Sequence, residues 1–113
     1  MALLVLVPSE LEKEALEGLP LEIELVGVGP VDSALNAYEI FLNKKPSLAF
    51  LTGFAGAYPN SDLMVGDVVV GTCERHADLG RAYPTHLVPL PETLGVRDYC
   101  PLAHVFTEKL IYL

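Results

Sequence analysis

Apolar and polar positions follow one another along the chain in a pattern that predicts alternating strands and helices. Residues 2–7 (ALLVLV) are all apolar, which is typical of a strand buried on both faces. Ser9 precedes a segment with Glu12 at the third helical position, the spacing of a capping box, and predicts a helix to about residues 16–17 that stops at Gly18. Residues 21–28 (LEIELVGV) alternate apolar and acidic side chains and predict a second strand.

The same order of elements continues in the middle of the chain. Residues 27–46 begin with two glycines and Pro30, which is favoured in a first helical turn, and their apolar side chains recur at helical spacing. Those side chains are Val31, Leu35, Tyr38 and Leu42, and Lys44 and Lys45 suit the negative end of a helix. Residues 47–52 and 65–72 predict two further strands, and the alternation predicts an α/β fold.

Beyond Gly80 the pattern weakens. Prolines at 84, 89, 91 and 101 divide the chain into short extended pieces. Residues 102–113 are compatible with a short helix or a strand, and they end on four large apolar side chains. Such an apolar end predicts either a truncated protein or a covering partner.

Composition narrows the function classes. The 113 residues suit one domain or part of one, and a net charge of −8 disfavours a nucleic-acid partner. The N-terminal apolar run is too short to span a membrane and lacks the basic flank of a signal peptide. Cys73 and Cys100 have no metal-type spacing, so free thiols in a cytoplasmic protein are expected, with a disulfide as the alternative. The three histidines have no ligand-like spacing either, and no metal site is expected.

Three turns follow predicted strands and contain residues suited to a ligand site. They are residues 9–12, 27–30 and 52–58. Ligands of open α/β sheets bind beyond the carboxyl ends of strands, where the first turn offers a carboxylate and the others offer approachable backbone. Ordinary tight turns, and a Glu12 that only caps its helix, remain open alternatives. The sequence GVGPVD at 27–32 lacks the third glycine of a dinucleotide fingerprint.

Four stretches of the chain carry a recognisable pattern: residues 5–16 (VLVPSELEKEAL), 27–37 (GVGPVDSALNA), 46–70 (PSLAFLTGFAGAYPNSDLMVGDVVV) and 74–80 (ERHADLG). Together they resemble the nucleoside phosphorylase and nucleosidase superfamily, most of all its futalosine hydrolases. The resemblance implies a three-layer α/β sandwich with a central mixed sheet flanked by helices. It covers roughly residues 1–80, which would be the N-terminal half of that domain, and leaves 81–113 as a divergent tail.

The resemblance also implies roles for individual residues. Glu12 would help to activate the attacking water, and the expected substrate-binding positions are Val28, Gly29, Gly53, Phe54, Ala55, Gly56 and Tyr58. Leu51 stands where the phosphorylases have a phosphate-binding arginine, which favours water as the nucleophile. Phe54 stands where the adenosine-type nucleosidases have a serine, as expected of the futalosine branch. Tyr58 either stacks on a base or packs under its loop.

Two motifs of the superfamily do not occur after Gly80: a V-E-M-E segment that binds the ribose hydroxyls, and an S-D turn whose aspartate protonates the base. Ser61 and Asp62 form an S-D pair, but they precede Val65 and are not assigned that role. The predicted function is an N-ribosyl hydrolase that releases hypoxanthine from futalosine in menaquinone biosynthesis and is incomplete as a single chain. The alternative is an inactive remnant that binds a nucleoside or assists assembly. We expect a purine nucleoside ligand, no cofactor, no membrane partner and a homo-oligomer.

Overall fold

The computed structural model describes residues 3–95 and 99–101, the last three through their backbone only. The chain divides into two compact units, residues 1–61 and 62–113. Each unit is considered by itself below. The predicted division at residue 80 stays a prediction, as does the layered sandwich.

The first unit contains three strands and two helices. In chain order they are β1 (Leu3–Val7), α1 (Glu10–Glu14), β2 (Glu22–Leu25), α2 (Pro30–Lys44) and β3 (Leu48–Leu51). The strands form one parallel sheet in the order β2-β1-β3, with Val5 opposite both Ile23 and Phe50. A parallel sheet connected by helices confirms the predicted α/β class and places β1 in the centre.

Strand β1 supplies most of the core. Leu4 and Leu6 point to one face and form a buried cluster with Val26, against which Ala37 and Ile40 of α2 pack. Val5 and Val7 alternate to the other face and are also buried. The prediction of a strand buried on both faces is therefore confirmed for residues 3–7.

Helix α2 begins and ends as the sequence predicts. Pro30 occupies its first turn after Gly29, and Lys45 ends it in the left-handed conformation (φ 46°). Its apolar side chains at 31, 35, 38 and 42 are, however, 55–68% exposed. The side chains that pack against the buried cluster are Ala37 and Ile40, both partly buried, so helical spacing identified the helix but not the face that contacts the sheet.

An ion-pair cluster joins the end of α2 to β2. Lys44 Nζ lies 2.6 Å from carboxylate oxygens of both Glu22 and Glu24. These two glutamates are two residues apart in the strand, so their side chains lie on the same face. Hydrogen bonds to Glu22 and Glu24 raise the pKa of Lys44 to about 12. Lys44, which was predicted to complement the helix dipole, therefore also links the helix to the sheet through these ion pairs.

Helix α1 is shorter than predicted. It ends at Glu14, and the next N–H groups, of Leu16 and Glu17, bond carbonyls three residues back, to Lys13 and Glu14. These tight turns replace the last predicted helical turn and lead to Gly18, which has a positive φ of 89°. The chain therefore leaves its helical path at Gly18, as predicted, but the α-helix itself already ends at Glu14.

The described part of the second unit contains short antiparallel pairs. Strand β4 (Cys73–Arg75) pairs with β7 (Tyr99–Pro101), and β5 (Gly80–Ala82) pairs with β6 (Leu87–Pro89), before a 3-10 turn at Glu92–Leu94. Short extended pieces after Gly80 are thus confirmed. The expectation for residues 102–113 lies outside the described residues. Cys73 is a free, exposed thiol.

The strand predicted at residues 65–72 is wrong. The segment instead starts with a turn, in which the Met64 N–H donates to Asp67 Oδ2 (2.8 Å) around Gly66 with φ 100°. Val65 and Val68 are almost fully exposed, and no strand in the described part of the chain pairs with this segment. An apolar run becomes a strand only when a neighbour completes its hydrogen bonds, which explains the difference.

Within residues 3–95 and 99–101, no helix has the length and apolarity needed to cross a bilayer. The same part of the chain contains no group of three metal-ligating side chains.

Candidate functional site

The three candidate turns leave the same edge of the parallel sheet. Because β2, β1 and β3 run in one direction, the turns that follow them share the carboxyl edge, with the turn after β1 in the middle. Two backbone hydrogen bonds extend the pairing past the strands, from Val26 N–H to the Val7 carbonyl (2.9 Å) and from Thr52 N–H to the Leu6 carbonyl (3.0 Å). The start of each outer turn is therefore fixed against β1.

Glu12 links the middle turn to the turn after β3. Its Oε2 accepts a hydrogen bond from Ser9 Oγ at 2.5 Å, and its Oε1 accepts one from the backbone N–H of Phe54 at 3.0 Å. Ser9 is the N-cap of α1, as the capping-box spacing predicts. The carboxylate thus bridges two segments that are 42 residues apart in sequence.

These contacts favour the ionised form of Glu12. The Ser9 hydroxyl, then the Phe54 N–H, lower the pKa of this carboxyl below its usual value, against a smaller opposing effect of desolvation. Hydrogen-bond donors stabilise a carboxylate more than a carboxylic acid. Glu12 is therefore a carboxylate at neutral pH and can orient a water molecule or accept its proton.

The glycine at 53 makes room for this carboxylate. A Cβ atom at position 53 would lie 2.5 Å from Glu12 Oε1 and 3.4 Å from Cδ of Pro8. By contrast, a Cβ at Gly56 would meet no atom within 4 Å. The absent side chain at 53 thus has an explanation within the protein. Approach of a ligand to Gly53, Ala55 and Gly56 stays a prediction.

The turn after β2 is held by side chains of α2. Ser33 Oγ donates to the Gly27 carbonyl (2.8 Å), and Asn36 Nδ2 donates to the Val26 carbonyl (2.9 Å). Gly27 and Gly29 have positive φ values of 87° and 94°, a conformation that favours glycine. Val28 between them is 73% exposed, so its side chain is uncovered at the edge of the sheet.

Uncovered apolar side chains line the segment after β3. Leu51, Phe54 and Tyr58 are 69%, 69% and 82% exposed. The Tyr58 carbonyl accepts hydrogen bonds from the backbone and hydroxyl of Ser61, which closes the turn while leaving the ring open. The alternative that Tyr58 packs under its loop is therefore wrong.

Of the predicted site residues, the structure brings Glu12, Gly53 and the Phe54 backbone into contact. In the described part of the chain, the hydrogen bonds of the Glu12 carboxylate come from Ser9 and Phe54, and none comes from Tyr58 or the Gly27–Gly29 turn. The anchoring roles of Ser33 and Asn36, and the contact of the Ser9 hydroxyl with the Glu12 carboxylate, were not predicted. The capping-box spacing of Ser9 and Glu12 in the sequence could have indicated that contact.

One curated protein shares sequence with part of the chain. It is a 5'-methylthioadenosine/S-adenosylhomocysteine nucleosidase of Maridesulfovibrio salexigens, 35% identical over 63 residues, which make up 56% of this chain. The chain resembles a nucleosidase. The match supports the nucleosidase superfamily and does not single out futalosine hydrolases. It spans only 27% of the relative's length. No family model and no solved structure matches the chain.

Proposed function

We propose that the chain supplies the water-activating part of an N-ribosyl hydrolase of the futalosine hydrolase type, and that it is incomplete as a single chain. The observation that carries the proposal is the geometry of Glu12. Its ionised carboxylate is held at the carboxyl edge of the sheet by Ser9 and by the Phe54 N–H. The likeness to a nucleosidase supports this assignment.

The reaction requires a group of this kind. When an N-glycosidic bond breaks, positive charge develops on the ribose ring while the base leaves with the bonding electrons. A fixed carboxylate stabilises that charge and orients water for attack at the ribose carbon. Protonation of the departing base is the other requirement, and no residue of this chain is assigned to it.

Residue 51 supports water rather than phosphate as the nucleophile. Phosphate sites in proteins use cationic side chains, above all arginine, because these form charge-assisted hydrogen bonds to the phosphate oxygens. Leu51 ends β3 with an uncovered apolar side chain, three residues before Phe54 in the chain. Leucine in place of the phosphorylases' arginine at this position therefore disfavours a phosphorylase.

The substrate proposal rests on the segment after β3. Exposed Phe54 and Tyr58 offer apolar and aromatic surface on which a purine base can stack. Phe54 in place of a serine favours the futalosine branch, whereas the relative's name gives methylthioadenosine and S-adenosylhomocysteine as the rival substrates. We propose a purine nucleoside, with futalosine as the first candidate.

The test is release of free base. The purified chain is incubated with futalosine, methylthioadenosine and inosine, each with and without phosphate, and free base is followed by chromatography. Because no residue is assigned to protonate the base, we expect slow release from futalosine without phosphate, driven by the water-activating carboxylate alone, and a further loss of about 10²–10⁴-fold in Glu12→Gln, the range for one acid–base group. Glu14→Gln, an exposed glutamate of the same helix, is the matched control and retains activity.

Two results would contradict the hydrolase. Release that depends on phosphate would indicate a phosphorylase. No release from any of the three nucleosides at high protein concentration would favour the second candidate, a remnant that binds a nucleoside. Residues 81–113 contain no V-E-M-E or S-D motif, and calorimetric binding of inosine without turnover would identify that candidate.

A further inference from the structure

The hydroxyl of Ser9 is used twice. It accepts a hydrogen bond from the Glu12 backbone N–H (3.4 Å) and donates one to Glu12 Oε2 (2.5 Å). Ser9 itself is extended, with φ −138° and ψ 161°, the conformation of an N-cap. A single hydroxyl can do both because it carries one donor proton and two acceptor lone pairs.

Capping alone does not require the donated proton. Aspartate and asparagine cap helices about as well as serine. Aspartate, however, is acceptor-only when ionised and would place a second negative charge beside Glu12. A serine at this position therefore donates a hydrogen bond to Glu12 that capping the helix does not need.

Packing does not fix the direction of Glu12. Helix α1 has five residues, none of them buried, and helices this short have little stability of their own. The carboxylate is oriented instead by hydrogen bonds at both oxygens, from the Ser9 hydroxyl at Oε2 and from the Phe54 N–H at Oε1, with a smaller contribution from the Ser9 backbone. A carboxylate has about four lone-pair sites, so these donors leave acceptor capacity for water.

We propose that Ser9 is a positioning residue for the nucleophilic water: its hydroxyl holds the Glu12 carboxylate in the orientation in which a remaining lone pair is free to bind that water. This inference rests on the proposed hydrolase function. Ser9 acts through Glu12 and need not touch the nucleoside. The backbone N–H of Phe54 is its counterpart at the other oxygen.

Three substitutions separate positioning from capping. Ser9→Thr retains the hydroxyl, Ser9→Asp retains a capping oxygen without the donor, and Ser9→Ala removes both. Each full-length variant is assayed for kcat and KM in base release. The pKa of Glu12 is read separately from the carboxyl carbon by NMR, a measurement that does not depend on activity.

We expect Ser9→Thr to match the unchanged protein. Ser9→Asp should lower kcat by on the order of tenfold to a hundredfold, with KM little changed, because the carboxylate is misplaced while nucleoside contacts remain. The pKa of Glu12 should rise in Ser9→Ala and rise further in Ser9→Asp. Ser9→Asp keeps the cap, so folding is retained where Ser9→Ala is too unstable to measure.

Two outcomes overturn the proposal, and they differ from failure of the proposed function. If the unchanged protein is active and Ser9→Asp keeps its kcat, Ser9 only caps the helix. If the pKa of Glu12 is the same in all variants, the hydroxyl does not control the carboxylate. If the NMR order holds but the unchanged protein releases no base, the Ser9–Glu12 contact is supported and the hydrolase function is the part that fails.

Discussion

Adding one methyl group at Gly53 should displace Glu12 without unfolding the protein. The Cβ atom of Gly53→Ala would lie 2.5 Å from Glu12 Oε1, whereas ordinary contacts begin near 3.4 Å, so the oxygen must move by about 0.9 Å. The Phe54 N–H to Oε1 distance of 3.0 Å would then lengthen beyond hydrogen-bonding range. A misplacement of about 1 Å at a reacting group costs on the order of a hundredfold in rate.

The stability effect should be small by comparison. The crowded atom is the far end of a flexible side chain, Pro8 Cδ at 3.4 Å is an ordinary contact, and Gly53 does not have a left-handed φ. We therefore expect base release to fall about a hundredfold while the urea midpoint shifts little. The pKa of Glu12, read by NMR, should rise because one donor is lost.

Two control variants test whether the displacement of Glu12 causes the loss of base release. Gly56→Ala, where the added Cβ meets nothing within 4 Å, should leave the NMR titration of Glu12 unchanged. In a Glu12→Gln background, Gly53→Ala should have no further effect on base release, since the displaced group is already absent. Wild-type activity and an unshifted Glu12 titration in Gly53→Ala would show that the methyl group is accommodated elsewhere.

Three further predictions concern the scaffold. Asn36→Ala should lower the free energy of unfolding by about 1–3 kcal/mol in urea titrations, because the carbonyl of the buried Val26 loses its donor, whereas Asn43→Ala on an exposed part of α2 should have little effect. Gly27→Ala should cost about 1–2 kcal/mol or more, since φ is 87° and the new Cβ lies 3.2 Å from Asp32 Cβ; an unchanged midpoint would contradict the strained turn. Lys44→Met should remove a stabilisation that is fully present below the unfolded pKa of about 10.4 and disappears as the pH rises through the folded pKa of about 12. The difference in urea midpoint between Lys44→Met and the wild type should therefore close from pH 9 to 12. The same difference should narrow in high salt.

The strands and helices of the first unit were predictable because each has a local signal. Residues 3–7 are apolar throughout, Pro30 marks the first turn of α2, and Ser9 with Glu12 has the capping-box spacing. These signals depend on neighbours in sequence. The strand expected at 65–72 failed because strand formation depends on a partner that no local pattern reveals.

The candidate site was predictable in part for the same reason. The position of Glu12 after β1 is local, and its proximity to the turn after β3 follows from parallel pairing. That Gly53 accommodates Oε1, and that α2 packs Ala37 and Ile40 against the sheet rather than its side chains at 31, 35, 38 and 42, depends on distances set by tertiary packing. Such distances have no signature in one sequence.

The donor to Glu12 Oε1 is a peptide N–H, not the side chain of residue 54. Every residue except proline carries the same N–H, so exchange of phenylalanine for serine at 54 alters the surface offered to a base while leaving the carboxylate's donor in place. Under the proposed function, the side chain of residue 54 can therefore change substrate preference while its backbone N–H continues to hold Glu12.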